Sequence, residues 1–130
     1  AIDIIPSTSG ASQSVVESFP VLKGKLDGYA LRVPVIDGSI SSVIASVKKK
    51  VSAEEVNKLF MKKAREMPKI LSYTEDAIVS SDVIHDPHSC VIDGTLTGVN
   101  GNLISIAGWY DNEWGYSNRL VDVGKVILEK

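Results

Sequence analysis

The pair Asn100-Gly101 lies between two β-prone runs, 95–99 and 102–109, and constrains this chain more than any other feature. Asn-Gly is the favoured centre of a two-residue type I′ hairpin turn, because both central positions need positive φ. The flanking runs are therefore expected to pair antiparallel. Three further short runs, 70–73, 77–80 and 89–93, come before them, set apart by Asp-Pro and Asp-Gly turn signals. Upstream, 29–35 reads as extended with Arg32 as its polar member and Pro34 near its end. Residues 40–47 read as a strand that leaves the core at Lys48-Lys49-Lys50.

Helices punctuate these strands. Ser52 and Glu55 form the S-x-x-E capping box, in which each side chain satisfies a free N–H of the first turn. Val56, Leu59, Phe60, Lys63, Ala64 and Met67 follow at i, i+3 and i+4 spacing. One stripe thus faces a core while Asn57, Lys58 and Lys62 stay wet, and Pro68 stops the helix. A shorter helix is expected over 11–19, and a last one over 117–129 with Leu120, Val123, Val126 and Ile127 apolar. The order points to an α+β fold, a mainly antiparallel mixed sheet with helices on one face, followed by a C-terminal helix.

At 130 residues the chain has room for one compact domain, not for separate cofactor and substrate lobes. Hydrophobic residues at 44% and charged residues at 23% suit a soluble globular core and exclude a disordered chain or a collagen. A net charge of -2 lacks the basic surplus used against phosphate backbones, which argues against nucleic acid. No apolar run is long enough to span a membrane. The single cysteine, Cys90, rules out an internal disulfide framework and multi-cysteine zinc patterns, and suits a reducing compartment. The chain opens without an initiator Met on what reads as mid-protein sequence, so a longer parent is expected.

Four places could carry chemistry. Ser7, Thr8, Ser9 and Gly10 precede a helix whose first N–H groups are unpaired and carry the positive end of its dipole, an arrangement that suits a phosphate. The plainer reading is an N-cap hydroxyl. Arg32, among apolar neighbours, either faces solvent by strand alternation or needs an anionic partner, and a phosphate shared with the helix start is the economical one. His85, His88 and Cys90 invite a metal or a Cys-His nucleophile, but the segment contains Pro87 and is not helical, and Cys90 alternates as a strand residue. Neither a metal nor a nucleophile is expected there. Residues 109–116 hold four of the eight aromatics around Asp111, Asn112 and Glu113. This is a functional loop or a turn whose aromatics cap the core.

The segment Trp109-Tyr110-Asp111-Asn112-Glu113-Trp114-Gly115-Tyr116-Ser117-Asn118-Arg119 closely resembles the C-terminal signature of phosphorylating glyceraldehyde-3-phosphate dehydrogenases. Ile4 to Ala11, Leu31-Arg32-Val33-Pro34, Leu71 to Asp76 and Ser80-Ser81-Asp82 resemble further segments of that family, in the same order. The resemblance implies NAD-dependent oxidation and phosphorylation of glyceraldehyde 3-phosphate to 1,3-bisphosphoglycerate. The family route is a cysteine thiohemiacetal, hydride transfer and phosphorolysis of the thioester. Ser9 and Gly10, where the family has Thr-Gly, would belong to the inorganic-phosphate site. Arg32 would bind substrate phosphate, and Asn112 would hold the nicotinamide carboxamide with Tyr116 nearby.

The family's Ser-Cys-Thr-Thr-Asn nucleophile segment, its catalytic histidine and its Gly-rich dinucleotide fingerprint have no counterpart here, and Cys90 matches none of them. The resemblance therefore implies a partial catalytic domain over 1–111. Over 112–130 it implies a loop and helix that would pack on a dinucleotide-binding domain through Leu120, Val123 and Ile127. The parent would be a cytoplasmic, glycolytic homotetramer with residues 73–82 near subunit contacts, and this chain alone would be inactive. The other readings are a catalytically empty surface or binding module derived from such an enzyme, and a metal-binding domain using His85 and His88.

Overall fold

The computed structural model describes residues 2–129; Ala1 and Lys130, the outer bounds of the two expected domains, lie outside it. The chain divides into two compact units, Ala1–Ile36 and Asp37–Lys130.

The first unit is a two-stranded antiparallel ribbon with a helix. Strand β1 (Ile5–Thr8) leads into α1 (Ala11–Ser18), a 3-10 turn follows at Pro20–Leu22, and β2 (Tyr29–Arg32) returns to pair with β1. By sequence, Ser7 and Thr8 are expected only ahead of a helix. The structure makes 5–8 a strand instead, because β2 supplies the ladder partners that a local reading cannot see.

The second unit is a four-stranded mixed sheet in the order β3-β6-β5-β4, built from β3 (Ser39–Ser46), β4 (Leu71–Thr74), β5 (Cys90–Asn100) and β6 (Leu103–Tyr110). β3, β6 and β5 run antiparallel, whereas β4 pairs with β5 in parallel. The helix α2 (Ala53–Glu66) packs on β4 and β5, and α3 (Trp114–Leu128) ends the chain. The α+β class expected from the sequence is thus observed. Val91, Ile92 and Asp93 are consecutive on β5 and all buried, so both faces of the central strand are covered there, since alternate residues point to opposite faces. Val56 on α2, Val83 and Ala107 complete the core.

Both bonds of the α2 capping box form. The Ser52 hydroxyl accepts from the Glu55 N–H at 3.1 Å, and the Glu55 carboxylate accepts from the Ser52 N–H at 2.7 Å. Replacing Ser52 by alanine is expected to lower stability by about 1 kcal/mol, read as a lower urea midpoint with unchanged m-value. The buried stripe is rotated from the expected one. Leu59 and Met67 are exposed, while Asn57 is half-buried and donates to the Gly94 carbonyl at 3.0 Å.

Three other expectations are corrected. The hairpin after β5 uses Gly101 and Asn102 as its central pair, with Asn100 paired to Leu103 in the ladder. Only Gly101 has positive φ, at 64°, which is the II′ pattern rather than I′. Residues 89–93 and 95–99 form one strand, whose register slips between Asp93 and Gly98. Residues 77–80 make no strand; the chain there enters a 3-10 turn at Ser80–Val83, with the Asp82 carboxylate accepting from the Val79 N–H at 2.7 Å.

Candidate functional site

In the first unit, Gly10 occupies the N-cap of α1 and contributes no side-chain bond. Ser9 takes over part of that work, its hydroxyl accepting from the Ala11 N–H at 3.2 Å. The hydroxyl thus serves the start of α1 from the residue before the N-cap, and the N-cap itself makes no side-chain bond. A shallow open cleft of about 720 Å³ lies beside it, lined by Ser9, Gln13, Glu17, Lys23 and Asp27. Glu17 and Asp27 against Lys23 give that cleft mixed charge.

Arg32 pairs with Ile5, whereas Thr8 pairs with Tyr29 at the far end of the ribbon. Three strand steps of roughly 3.4 Å put about 10 Å of backbone between the Arg32 position and the end that leads to Ser9 and Gly10. The register thus does not bring Arg32 and the helix start together at the backbone. Cross-strand partners share a face, so Arg32 lies on the face that carries Ile5, Ser7 and Ala30. The Ser7 hydroxyl on that face is buried without a hydrogen bond among the described residues. Arg32 itself is exposed.

In the second unit, Asn112 follows the end of β6 and precedes α3, and Tyr116 lies in the first turn of that helix, 65% exposed. The structure therefore groups these two residues at one helix terminus. Asn112 is exposed, and its Oδ1 accepts from the Ser39 hydroxyl at 3.0 Å. Ser39 opens β3 and lies opposite Tyr110 in the ladder, which is why a residue so distant in sequence reaches the loop.

The backbone around Asn112 is held by Asp111, which is 2% exposed. Its carboxylate accepts from three backbone N–H groups: His85 at 2.8 Å, Glu113 at 2.9 Å and Trp114 at 2.7 Å. Burial alone would push this carboxyl up, but the bonds from Trp114, His85 and Glu113 outweigh it and hold it below the ordinary carboxylate value. These bonds start α3 at Trp114, three residues before the expected beginning at 117. Trp114 tilts against the His85 ring at 5.3 Å between centroids.

Sequence reasoning had placed Asp111 in the aromatic loop without a role and had not singled out Ser39. An Asp three residues before a helix start was the available signal for the first. Ser39 left none, because its partner is set by strand register.

Cys90 and the histidines do other work. Cys90 is half-buried on β5, and burial pushes its thiol up to about 11, where the nucleophilic thiolate is scarce at neutral pH. His88 bonds Asp86 through Nδ1 at 2.6 Å and the Pro68 carbonyl through Nε2 at 3.0 Å. Among the described residues no group of three or more His, Cys, Asp or Glu side chains is placed to hold a metal ion. No described helix is long and apolar enough to cross a membrane.

Comparison with known proteins gives one consistent result. The family described as glyceraldehyde 3-phosphate dehydrogenase, C-terminal domain, matches residues 1–112. Glyceraldehyde-3-phosphate dehydrogenase 2 of Streptomyces avermitilis is 51% identical over 125 residues, 95% of this chain and 37% of the relative. The Streptomyces coelicolor glyceraldehyde-3-phosphate dehydrogenase is 52% identical over 126 residues, 95% of this chain and 38% of its own length. The Mycobacterium avium enzyme of the same name is 49% identical over 128 residues, 98% of this chain and 38% of its own. The chain thus spans less than two fifths of the length of these relatives. A match of this extent, running through the Asn112 loop that Ser39 and Asp111 hold in place, makes the chain a member of the glyceraldehyde-3-phosphate dehydrogenase family by its C-terminal domain.

Proposed function

We propose that this chain acts as the C-terminal part of a glycolytic, NAD-dependent enzyme that oxidises and phosphorylates glyceraldehyde 3-phosphate to 1,3-bisphosphoglycerate. Identity near 50% along 95% of the chain is the observation that carries the reading. Arg32 supplies a guanidinium for substrate phosphate, and Ser9 with Gly10 supplies the hydroxyl and backbone of an inorganic-phosphate site. Asn112 holds the carboxamide of the nicotinamide, with Tyr116 beside it. NAD, when bound, supplies the hydride acceptor, and this chain's task is to orient it and to bind phosphate. The nucleophilic cysteine and its histidine base come from the remaining part of the same enzyme, on which the C-terminal helix packs, in a cytoplasmic homotetramer. The exposed amide of Asn112 and the exposed guanidinium of Arg32 fit these roles.

The test is NAD reduction with glyceraldehyde 3-phosphate and inorganic phosphate, using the chain alone and the chain combined with the amino-terminal part of a relative. Turnover is expected only in the combination. There, Arg32→Ala should lower kcat/KM by about tenfold or more, the worth of a charged hydrogen bond to phosphate. Turnover by the chain alone would sink the proposal. Binding of another protein that persists in Arg32→Ala and Asn112→Ala, without activity in the combination, would favour a binding module.

A further inference from the structure

The turn signal Asn100-Gly101 carries a reactivity that the proposed function does not use. Where glycine follows asparagine, no side chain crowds the next backbone nitrogen, and that nitrogen can reach the carbon of the asparagine amide. The chain has five asparagines, and only Asn100 is followed by glycine. The structure sets it apart a second time. Asn57 donates to the Gly94 carbonyl, Asn102 to the Ser46 hydroxyl and Asn118 to the Trp114 carbonyl, while Asn112 accepts from the Ser39 hydroxyl. The side chain of Asn100 has no hydrogen bond among the described residues, and the residue is exposed.

The neighbouring nitrogen is free as well. Gly101 lies outside both strands, and its N–H donates to no backbone carbonyl among the described residues. Gly101 is exposed, and a Cβ built on it meets nothing within 4 Å. Ring closure requires Asn100 to turn out of its extended backbone, which the ladder resists. That ladder is weakest here. Asn100 pairs with Leu103 at the last step of the hairpin, and β4 covers β5 only from Cys90 to Asp93. A strand end held on one side opens locally at small free-energy cost.

We propose that Asn100 is a site of spontaneous modification, at which the hairpin tip passes through a succinimide to aspartate and isoaspartate. The Gly101 nitrogen attacks Cγ of Asn100, the Cγ–Nδ2 bond breaks, and ammonia leaves with the proton that the nitrogen loses. Water then opens the ring. Addition at Cγ breaks the new bond and leaves an aspartyl side chain. Addition at the main-chain carbonyl breaks the original peptide bond instead, and the chain then runs through Cγ as isoaspartate. Either product adds a negative charge to the tip, and isoaspartate also lengthens the main chain by a methylene, which displaces the Asn100–Leu103 pair. None of this depends on the roles of Arg32 or Asn112.

The test is to incubate this chain, folded, in neutral buffer and to map its peptides by mass spectrometry. The amide-to-acid mass gain is expected at Asn100, with Asn57, Asn102, Asn112 and Asn118 intact over the same interval. An isoaspartyl methyltransferase supplied with S-adenosylmethionine should methylate the same peptide. Gly101→Ala, whose Cβ crowds the attacking nitrogen, should slow the conversion about tenfold or more. An Asn100 that stays intact in the folded chain overturns the proposal, and conversion only in the guanidinium-unfolded chain would show that the hairpin protects it. A Gly101→Ala chain that converts as fast, or amide loss spread evenly over the five asparagines, overturns it equally.

Discussion

Replacing Asp111 by alanine is expected to lower the stability of the second unit by about 4 kcal/mol, since three backbone donors lose their acceptor and each orphaned donor costs about 1–3 kcal/mol before water reaches it. Those donors belong to His85, Glu113 and Trp114, so one carboxylate joins the end of the 3-10 segment to the start of α3. His85 holds a φ of 65°, uncommon for a residue other than glycine, and its N–H bond to Asp111 helps keep it there. Asp111→Asn keeps one acceptor oxygen and should lose about half as much. Urea unfolding of the three proteins checks the order. A loss below about 1 kcal/mol in the alanine variant would mean that water replaces the carboxylate freely.

The same group makes stability depend on pH. The folded-state carboxyls of Asp111 and Asp93 both lie below their ordinary value: burial opposes this, but the hydrogen bonds each receives outweigh it. For Asp93 these come from the Thr95 hydroxyl at 2.6 Å, the Thr95 N–H at 3.0 Å and the Trp109 indole at 3.0 Å. A depressed folded value means that the unfolded chain takes up protons first on acidification. The stabilisation is therefore complete above the unfolded carboxyl value of about 3.9 and is lost as pH falls through the lower folded values. Asp111→Asn should flatten the acid limb of a stability profile taken from pH 6 to pH 2.

Gly38→Ala is the second large effect, with an expected loss of about 3 kcal/mol. Gly38 adopts a φ of 85°, and a Cβ built there would run into the carbonyl oxygen of Ser80. The left-handed conformation accounts for about 1–2 kcal/mol of the loss and the collision for the rest, because backbone cannot rotate away as a side-chain tip can. Gly101→Ala is the control. Its φ is 64° with nothing within 4 Å of the added Cβ, so it should lose only the conformational share. Equal losses at the two glycines would show that the Ser80 segment yields. Because Ser39 is the next residue, Gly38→Ala should also loosen the Asn112 amide, linking a steric event at a turn to the candidate ligand contact.

The elements that could be foreseen are those whose causes are local. The α2 boundaries follow from Ser52, Glu55 and Pro68, because a capping box and a helix stop act within one turn of the chain. The motifs of the candidate site were equally legible: Ser9-Gly10, Arg32 and the Asn112 loop stand out as residue types before any packing is known. The misread elements have remote causes. β1 exists because β2 pairs with it, and the single long β5 exists because β6 and β4 flank it. Asn57 looked like a wet helix position until the Gly94 carbonyl supplied its acceptor, 37 residues away.

Composition, spacing and residue type already carry the α+β class, the helix signals, the family resemblance and the chemical groups on offer. How those groups are presented depends on which distant segments pack together. Strand register set Arg32 about 10 Å of backbone from the end leading to the helix start, and it carried the Ser39 hydroxyl to Asn112. Burial turned Asp111 from a loop carboxylate into the acceptor that starts α3. Hydrogen-bond direction and burial depend on which distant segments meet, and period and propensity along one chain carry no record of that meeting.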